Sequence, residues 1–260
     1  MKRIEVNERV FGLFEEYRGR EDDSRALGRL MRLAEQCEAD ESEKIALVIL
    51  EAHWFSLKEN TGQASNAPFF EGVCRYVDNL KSYRLNFYDA DSFQHALDAV
   101  ADIREQRIIL YIGAHGSKCM IAAAHARSLM KKVAEFSSKR KIEGVLLSSC
   151  LAAGHDESMF EAFKGRTNWL FGYQSSVDFL GSAQVEAALL ERASEMSATD
   201  AEDVVKVVTK FAKALNCFNP KWRIGSEPRV TLDQSIRLVM RGKHMKLPQD
   251  YTPALIKAAW

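Results

Sequence analysis

Two short segments carry residue types that could do chemistry together: Gly113-Ala114-His115-Gly116-Ser117 and Ser148-Ser149-Cys150-Leu151-Ala152-Ala153-Gly154-His155. Each directly follows an apolar run. An imidazole beside a thiol is the minimum set for nucleophilic catalysis by cysteine, in which a thiolate attacks a carbonyl and an acid protonates the leaving amine. Gly116 has no side chain, so its backbone N–H can approach a substrate oxygen closely. With the N–H of Cys150 it would form an oxyanion hole.

The surrounding elements must bring these segments together. Ile45-Ala46-Leu47-Val48-Ile49-Leu50 is a continuous apolar run, the mark of a strand buried on both faces. Residues 68–80 read as a helix, 83–88 as a strand, 92–104 as a helix and 108–112 as a third strand. Residues 121–136 then read as a helix, 145–147 as a strand, 158–163 as a short helix and 169–173 as a fifth strand. Parallel strands need crossovers of this length. The pattern predicts an α/β sandwich with a mostly parallel central sheet and helices on both faces. Two helices (182–196 and 200–215), one strand of alternating pattern over 230–240 near a sheet edge, and a closing helix over 254–260 complete it. The first forty residues read as a helical pair. The expected division is therefore an N-terminal helical appendage over 1–42 and an α/β domain over 43–260.

In such a sheet ligands bind beyond the carboxyl ends of the strands. His115 and Cys150 end consecutive strands, which are usually neighbours, so both are expected at one edge of the sheet. Other ends offer Glu51 and His53, Asp89 and Asp91, and Gln174 to Asp178. His125, at helical spacing with Ile121, Leu129 and Val133, reads as a core or boundary histidine. His155 reads as a loop residue. No metal is expected: His115 and Cys119 are the only close-spaced pair near the candidate dyad, and zinc sites usually show two such pairs. The P-loop Lys and its spacing are absent, so no phosphate loop is expected.

Composition narrows the class. Of 260 residues, 36 are basic and 36 acidic, a balance that argues against a nucleic-acid partner. No apolar run reaches membrane-spanning length. The opening Met1-Lys2-Arg3-Ile4-Glu5 becomes charged too early for a secretory signal. Five scattered cysteines without a CxxC pair fit a reduced compartment. A cytoplasmic location is expected.

The strand–His-Gly–helix–strand–Ser-Cys order resembles the caspase-like (clan CD) cysteine peptidases, the clan of caspases, metacaspases, separase, gingipains and the bacterial CHAT proteases. The resemblance rests on residues 108–116 and 145–154 and covers about 45–196. Residues 169–178, with Ser182-Ala183, resemble the strand and loop that shape the pocket in CHAT-type members. It implies a caspase-like sandwich and a cysteine endopeptidase acting on a protein substrate. Cys150 would be nucleophile and His115 its acid and base, and Gly116 and Cys150 would supply the oxyanion hole. No cofactor is implied, and the setting would be bacterial defence or signalling. Where metacaspases carry Asp two residues before the cysteine, this chain has Ser148. No Arg follows the fifth strand, where caspases bind aspartate. The charges available there are acidic, so cleavage after Arg or Lys is expected, with Asp178 as pocket acid, Glu51 in reserve and Ser148 in the lining. Asp178 also reads as a cap for the following helix. A second reading keeps the fold without activity, as an interaction module whose Val10, Leu13, Phe14 and Tyr17 stripe meets a regulatory partner.

The apolar stripes of the first forty residues are expected to pack and not to stand in water. Slow amide exchange over parts of 8–36 in the full chain is the expected result; rapid exchange throughout would refute it.

Overall fold

The computed structural model describes residues 44–52, 65–225 and 230–260. The helical pair expected before residue 43, and His53, lie outside the described residues.

The parallel part of the sheet contains β1 (Ile45–Glu51), β2 (Leu80–Asn86), β3 (Arg107–Gly113), β6 (Ile142–Ser148) and β7 (Trp169–Tyr173). The hairpin β4 (Met120–Ile121) and β5 (Ala124–His125) stands apart from it. Strand β8 (Ile236–Met240) runs antiparallel to β7, and the two-residue β9 (Gln249–Asp250) closes that side. The order across the sheet is β2-β1-β3-β6-β7-β8-β9. Strands β1, β3, β6, β7 and β8 are buried along their whole length. That fits strands covered on both faces.

Helices α1 (Ala67–Tyr76), α5 (Phe179–Ser194), α6 (Val204–Leu215) and α8 (Thr252–Ala259) contribute to one core, with Ile49, Tyr111, Leu146, Phe171 and Leu238 from the sheet. Helices α2 (Ala90–Ala99), α3 (Ala126–Lys139) and α4 (Asp156–Glu161) contribute to the other, with Val48, Leu110, Val145 and Leu147. The mostly parallel α/β sandwich expected from the sequence is the architecture observed. Among the described residues no helix is long and apolar enough to cross a membrane.

Three elements differ from the sequence reading. The helix expected over 121–136 begins at Ala126, because the chain first folds into the β4–β5 hairpin with Ala122 in a left-handed conformation (φ 52°). His125 is therefore an exposed residue at the helix start. The alternating run over 230–240 is split. Thr231 and Gln234 form a capping box that starts the single turn α7 (Leu232–Ser235), and only then does β8 begin. Strand β8 is also buried throughout, not on one face only. The first crossover helix stops at Tyr76, and β2 starts at Leu80.

The pairing of β3 with β6 carries an irregularity. Ile108 faces Ile142 and Ile109 faces Gly144, which leaves Glu143 as an extra residue. Its carboxylate is buried and accepts from Arg107 Nε at 2.7 Å and Nη2 at 3.0 Å. Arg107 Nη2 also donates to the Met196 carbonyl at 2.6 Å. Removing one member of such a pair strands a buried charge. Arg107→Ala is expected to cost about 3–5 kcal/mol, read as a lower denaturation midpoint; a change below ~1 kcal/mol would show that the pair is not needed.

Candidate active site

The carboxyl ends of β3, β6 and β7 converge. Gly113 is level with Ser148 in the β3–β6 register, and Ala114 N–H donates to the Ser148 carbonyl at 3.2 Å. Two residues further on each strand stand His115 and Cys150. The backbones touch there: a side chain on Gly116 would overlap the Cys150 carbonyl oxygen and Ser149 Oγ and would lie 2.9 Å from the Cys150 nitrogen. The absent side chain thus lets residue 116 lie against Cys150.

After His115 the chain turns back through a bridge between Gly116 and Ile121. Its bonds run from Ser117 N–H to Met120 O (2.9 Å) and from Ala122 N–H to His115 O (2.8 Å). Gly116 thus occupies a non-hydrogen-bonded pair, and its own N–H is not used in the bridge. His115 is exposed and Cys150 is half-buried.

Directly after Cys150, Leu151 takes a left-handed conformation (φ 61°), and its N–H donates to the Ser175 carbonyl at 3.0 Å. The left-handed region is uncommon for a branched residue and costs roughly 1–2 kcal/mol. The sharp turn leaves Cys150 at the sheet edge, facing the loop after β7. Its Sγ accepts from Val177 N–H at 3.4 Å and lies 3.7 Å from the Val177 carbonyl. The loop is fixed in turn by Gln174 N–H to Ser235 O (2.8 Å) and Asp178 N–H to Ile224 O (2.6 Å).

Asp178 caps α5: its Oδ2 accepts from Gly181 N–H at 2.9 Å. Glu51 is buried at the end of β1. Its Oε1 accepts from Asn66 N–H at 2.8 Å and its Oε2 from the Ser65 hydroxyl, with Arg84 Nη2 3.9 Å away. Ser148 is buried, and its hydroxyl meets no hydrogen-bond partner. His155 lines a groove of about 400 Å³ with Cys119 and His125, and neither His115 nor Cys150 lines it. Among the described residues no three His, Cys, Asp or Glu side chains gather as a metal ion would require.

A group the sequence reading missed lies beside this site. Glu186, from the second turn of α5, is buried, and neither carboxyl oxygen has a hydrogen-bond partner. Burial pushes its carboxyl up to about 8; the neighbouring Ser148 and Tyr173 hydroxyls oppose the rise and the charge of Glu51 adds to it. Burial, with the charge of Glu186, also raises Tyr111 and Tyr173 well above the usual phenol range, and Cys150 contributes to the rise at Tyr173. Asn66 Nδ2 donates to the Tyr111 hydroxyl at 2.8 Å, and the Tyr173 hydroxyl donates to the Ser182 carbonyl at 3.3 Å. Glu186 falls in a run that reads as an ordinary amphipathic helix, so no local motif marked it.

The fold is that of the caspase-like (clan CD) cysteine peptidases. A secreted C11 cysteine protease from Bacteroides thetaiotaomicron, solved in complex with an irreversible peptide inhibitor, is similar at TM-score 0.50 and 9% identity. The match covers 76% of this chain and 66% of that protease, so the chain spans just under two-thirds of its length. Caspase-1 from Spodoptera frugiperda gives a TM-score of 0.49 at 12% identity, over 77% of this chain and 87% of its own. No family model matches the sequence, and no curated protein does.

A proton on Glu186 has a thermodynamic consequence. Its folded value of about 8 exceeds an unfolded value of about 4.3. Below pH 4 both states hold the proton; between pH 4 and 8 only the folded state does. This group's stability contribution is therefore intact in acid and lost as pH rises through that window. Glu186→Gln is expected to remove up to about 1.4 kcal/mol per pH unit of that slope and to be more stable than wild type at pH 8. Parallel stability–pH curves for the two proteins would contradict a buried, protonated Glu186.

Proposed function

We propose that the chain is a cysteine endopeptidase that cleaves a protein substrate with Cys150 and His115. The observation that carries this reading is the backbone contact of Gly116 with Cys150 at the ends of two paired parallel strands, which sets the imidazole-bearing and thiol-bearing residues side by side. The Cys150 thiolate attacks the scissile carbonyl carbon, and the carbonyl oxygen becomes an oxyanion between the N–H groups of Gly116 and Cys150. The imidazolium of His115 gives its proton to the leaving amine as the C–N bond breaks, leaving a thioester. His115 then takes a proton from water, whose oxygen attacks the thioester, and Cys150 leaves. No cofactor enters the cycle.

The loop over 174–178 lies across the thiol and is its wall on the β7 side. The substrate residue before the cut meets the ends of β1, β6 and β7, where two carboxyl groups, Glu51 and Glu186, are buried, while the buried cation next to β7, Arg237, is engaged by the Ala153 carbonyl, Asp156 and Asp250. This supports a preference for Arg or Lys at that residue. The proposed setting is bacterial defence or signalling inside the cell, with residues 1–42 as an appendage to the peptidase domain and a regulatory protein as a further partner.

Cys150→Ala is expected to lower peptide cleavage by about 10⁴-fold or more, with the thermal midpoint nearly unchanged. His115→Ala is expected to fall similarly. Cleavage retained by Cys150→Ala would end the proposal. Thiol reactivity is an independent check: burial raises Cys74 to about 11, so Cys74 should alkylate slowly and Cys150 fast.

A further inference from the structure

The buried group beside the thiol suggests what the site selects. Register and face place it. Glu51, Gly113 and Ser148 are level across β1, β3 and β6, and Leu147 is level with Gly172, one residue before Tyr173. Gly113 leaves room for the Tyr111 ring, whose Cε1 would lie 2.7 Å from a Cβ at that position. The ring, packed on Phe70 of α1 at 4.5 Å between centroids, lies against the glycine gap, and its hydroxyl reaches Asn66. Polar groups from four adjacent strands thus share one end of the sheet, beneath α5 and beside Cys150.

We propose that Glu186 is the specificity-determining acid of this site and receives the cationic side chain of the substrate residue that precedes the scissile bond. The assignment rests on the peptidase reading and goes beyond it in naming the acid. Three observations favour Glu186 over Asp178 and Glu51. Asp178 is committed to capping α5. Both oxygens of Glu51 are engaged by Ser65 and Asn66. Glu186 and Ser148 are each at least nine-tenths buried, and their carboxyl oxygens and hydroxyl make no hydrogen bond of good geometry, their polar neighbours being each other and the Tyr111 and Tyr173 hydroxyls. Unpartnered buried polar atoms are costly and rare, and a carboxyl pair with an adjacent hydroxyl is what a guanidinium or ammonium would satisfy.

Charge supports the choice of a cation. Among the described residues, the groups that act on Glu186 are Glu51 from β1, Tyr111 from β3, Ser148 from β6 and Tyr173 from β7, with Cys150 acting on Tyr173. None of these is a cation. Arg84, more than a third exposed, reaches Glu51. While the site is empty, Glu186 holds its proton and the group is neutral. An arriving cation makes the ionised form favourable and the proton leaves.

Two peptides identical except for Arg or norleucine before the cut provide the test. Glu186→Gln is expected to lower the Arg-over-norleucine ratio of kcat/KM by ~100-fold or more. A merely structural role would scale both substrates together and leave the ratio unchanged, which would overturn the inference. Wild type that cleaves the norleucine peptide and not the Arg peptide overturns it too, while the peptidase reading stands. Wild type that cleaves neither ends both. If Glu186→Gln does not fold, wild type decides alone. At pH 7, calorimetry of peptide aldehydes ending in Arg or norleucine, in buffers of different ionisation enthalpy, should show ~1 more proton released with Arg. Equal proton release would overturn the assignment.

Discussion

The phase of one strand sets the site, and a buried ion pair accompanies the irregularity that fixes that phase. Side chains alternate along a strand, so a one-residue shift moves every following side chain to the opposite face. In β6, Ile142 belongs to the core shared with α2, α3 and α4, but so do Val145 and Leu147, an odd number of residues later. The extra residue at Glu143 reconciles these positions, as a β-bulge does. Leu146 then falls in the core with α5, and Ser148 on the same face. Arg107, at the start of β3, makes two bonds to the bulged residue's carboxylate and one to the Met196 carbonyl, two residues past α5. The interaction lies at the amino ends of the strands, yet it determines what their carboxyl ends present.

From there small residues control how closely the parts approach. At Gly144 a side chain would overlap the Trp169 indole, at Gly113 it would crowd Tyr111, and at Gly116 it would collide with the Cys150 backbone. The first lets β6 and β7 pack, the second makes room for a phenol, and the third brings residue 116 against the thiol-bearing residue. Leu151 adds a conformational cost that nothing in its own side chain requires. Costs of this kind persist where surrounding contacts over-determine them; here the bond to Ser175 and the contacts of Val177 with the thiol supply the contacts.

Much of this was legible in the sequence, because the informative signals were local. Continuous apolar runs marked the buried strands, and the alternation of strands with helices gave the parallel sheet. That His115 and Cys150 follow neighbouring strands, β3 and β6, was legible from the order of the elements. What failed was periodicity read across a break. Ile121 and His125 fit the helical spacing of α3, but Ile121 lies in β4 and His125 in β5, both ahead of the helix. Val230 and Leu232 alternate with β8, but a capping box at Thr231 turns the chain first. Glu186 was invisible for a different reason. A glutamate on a helix is ordinarily a solvated residue, and only the packing of α5 over the ends of β6 and β7 takes its carboxyl out of water.

On the proposed reading, that burial is the step at which stability and selection would meet. A carboxylate without a partner in a dry site is penalised heavily, so the resting protein keeps the group neutral. The same dryness strengthens any charge that later pairs with it, since Coulombic attraction grows as the local dielectric falls. An acid at the surface would attract cations of every kind weakly and lose most of the effect to salt. If Cys150 is the nucleophile, as proposed, an acid held protonated beside it would discriminate more sharply, because a neutral side chain of similar length gives it no reason to ionise. The unpartnered hydroxyl of Ser148 fits the same logic, occupying the position where metacaspases carry a permanently charged Asp. On that reading, an acid on the covering helix and not on the strand would keep negative charge away from the Cys150 thiolate until substrate brought its own compensation.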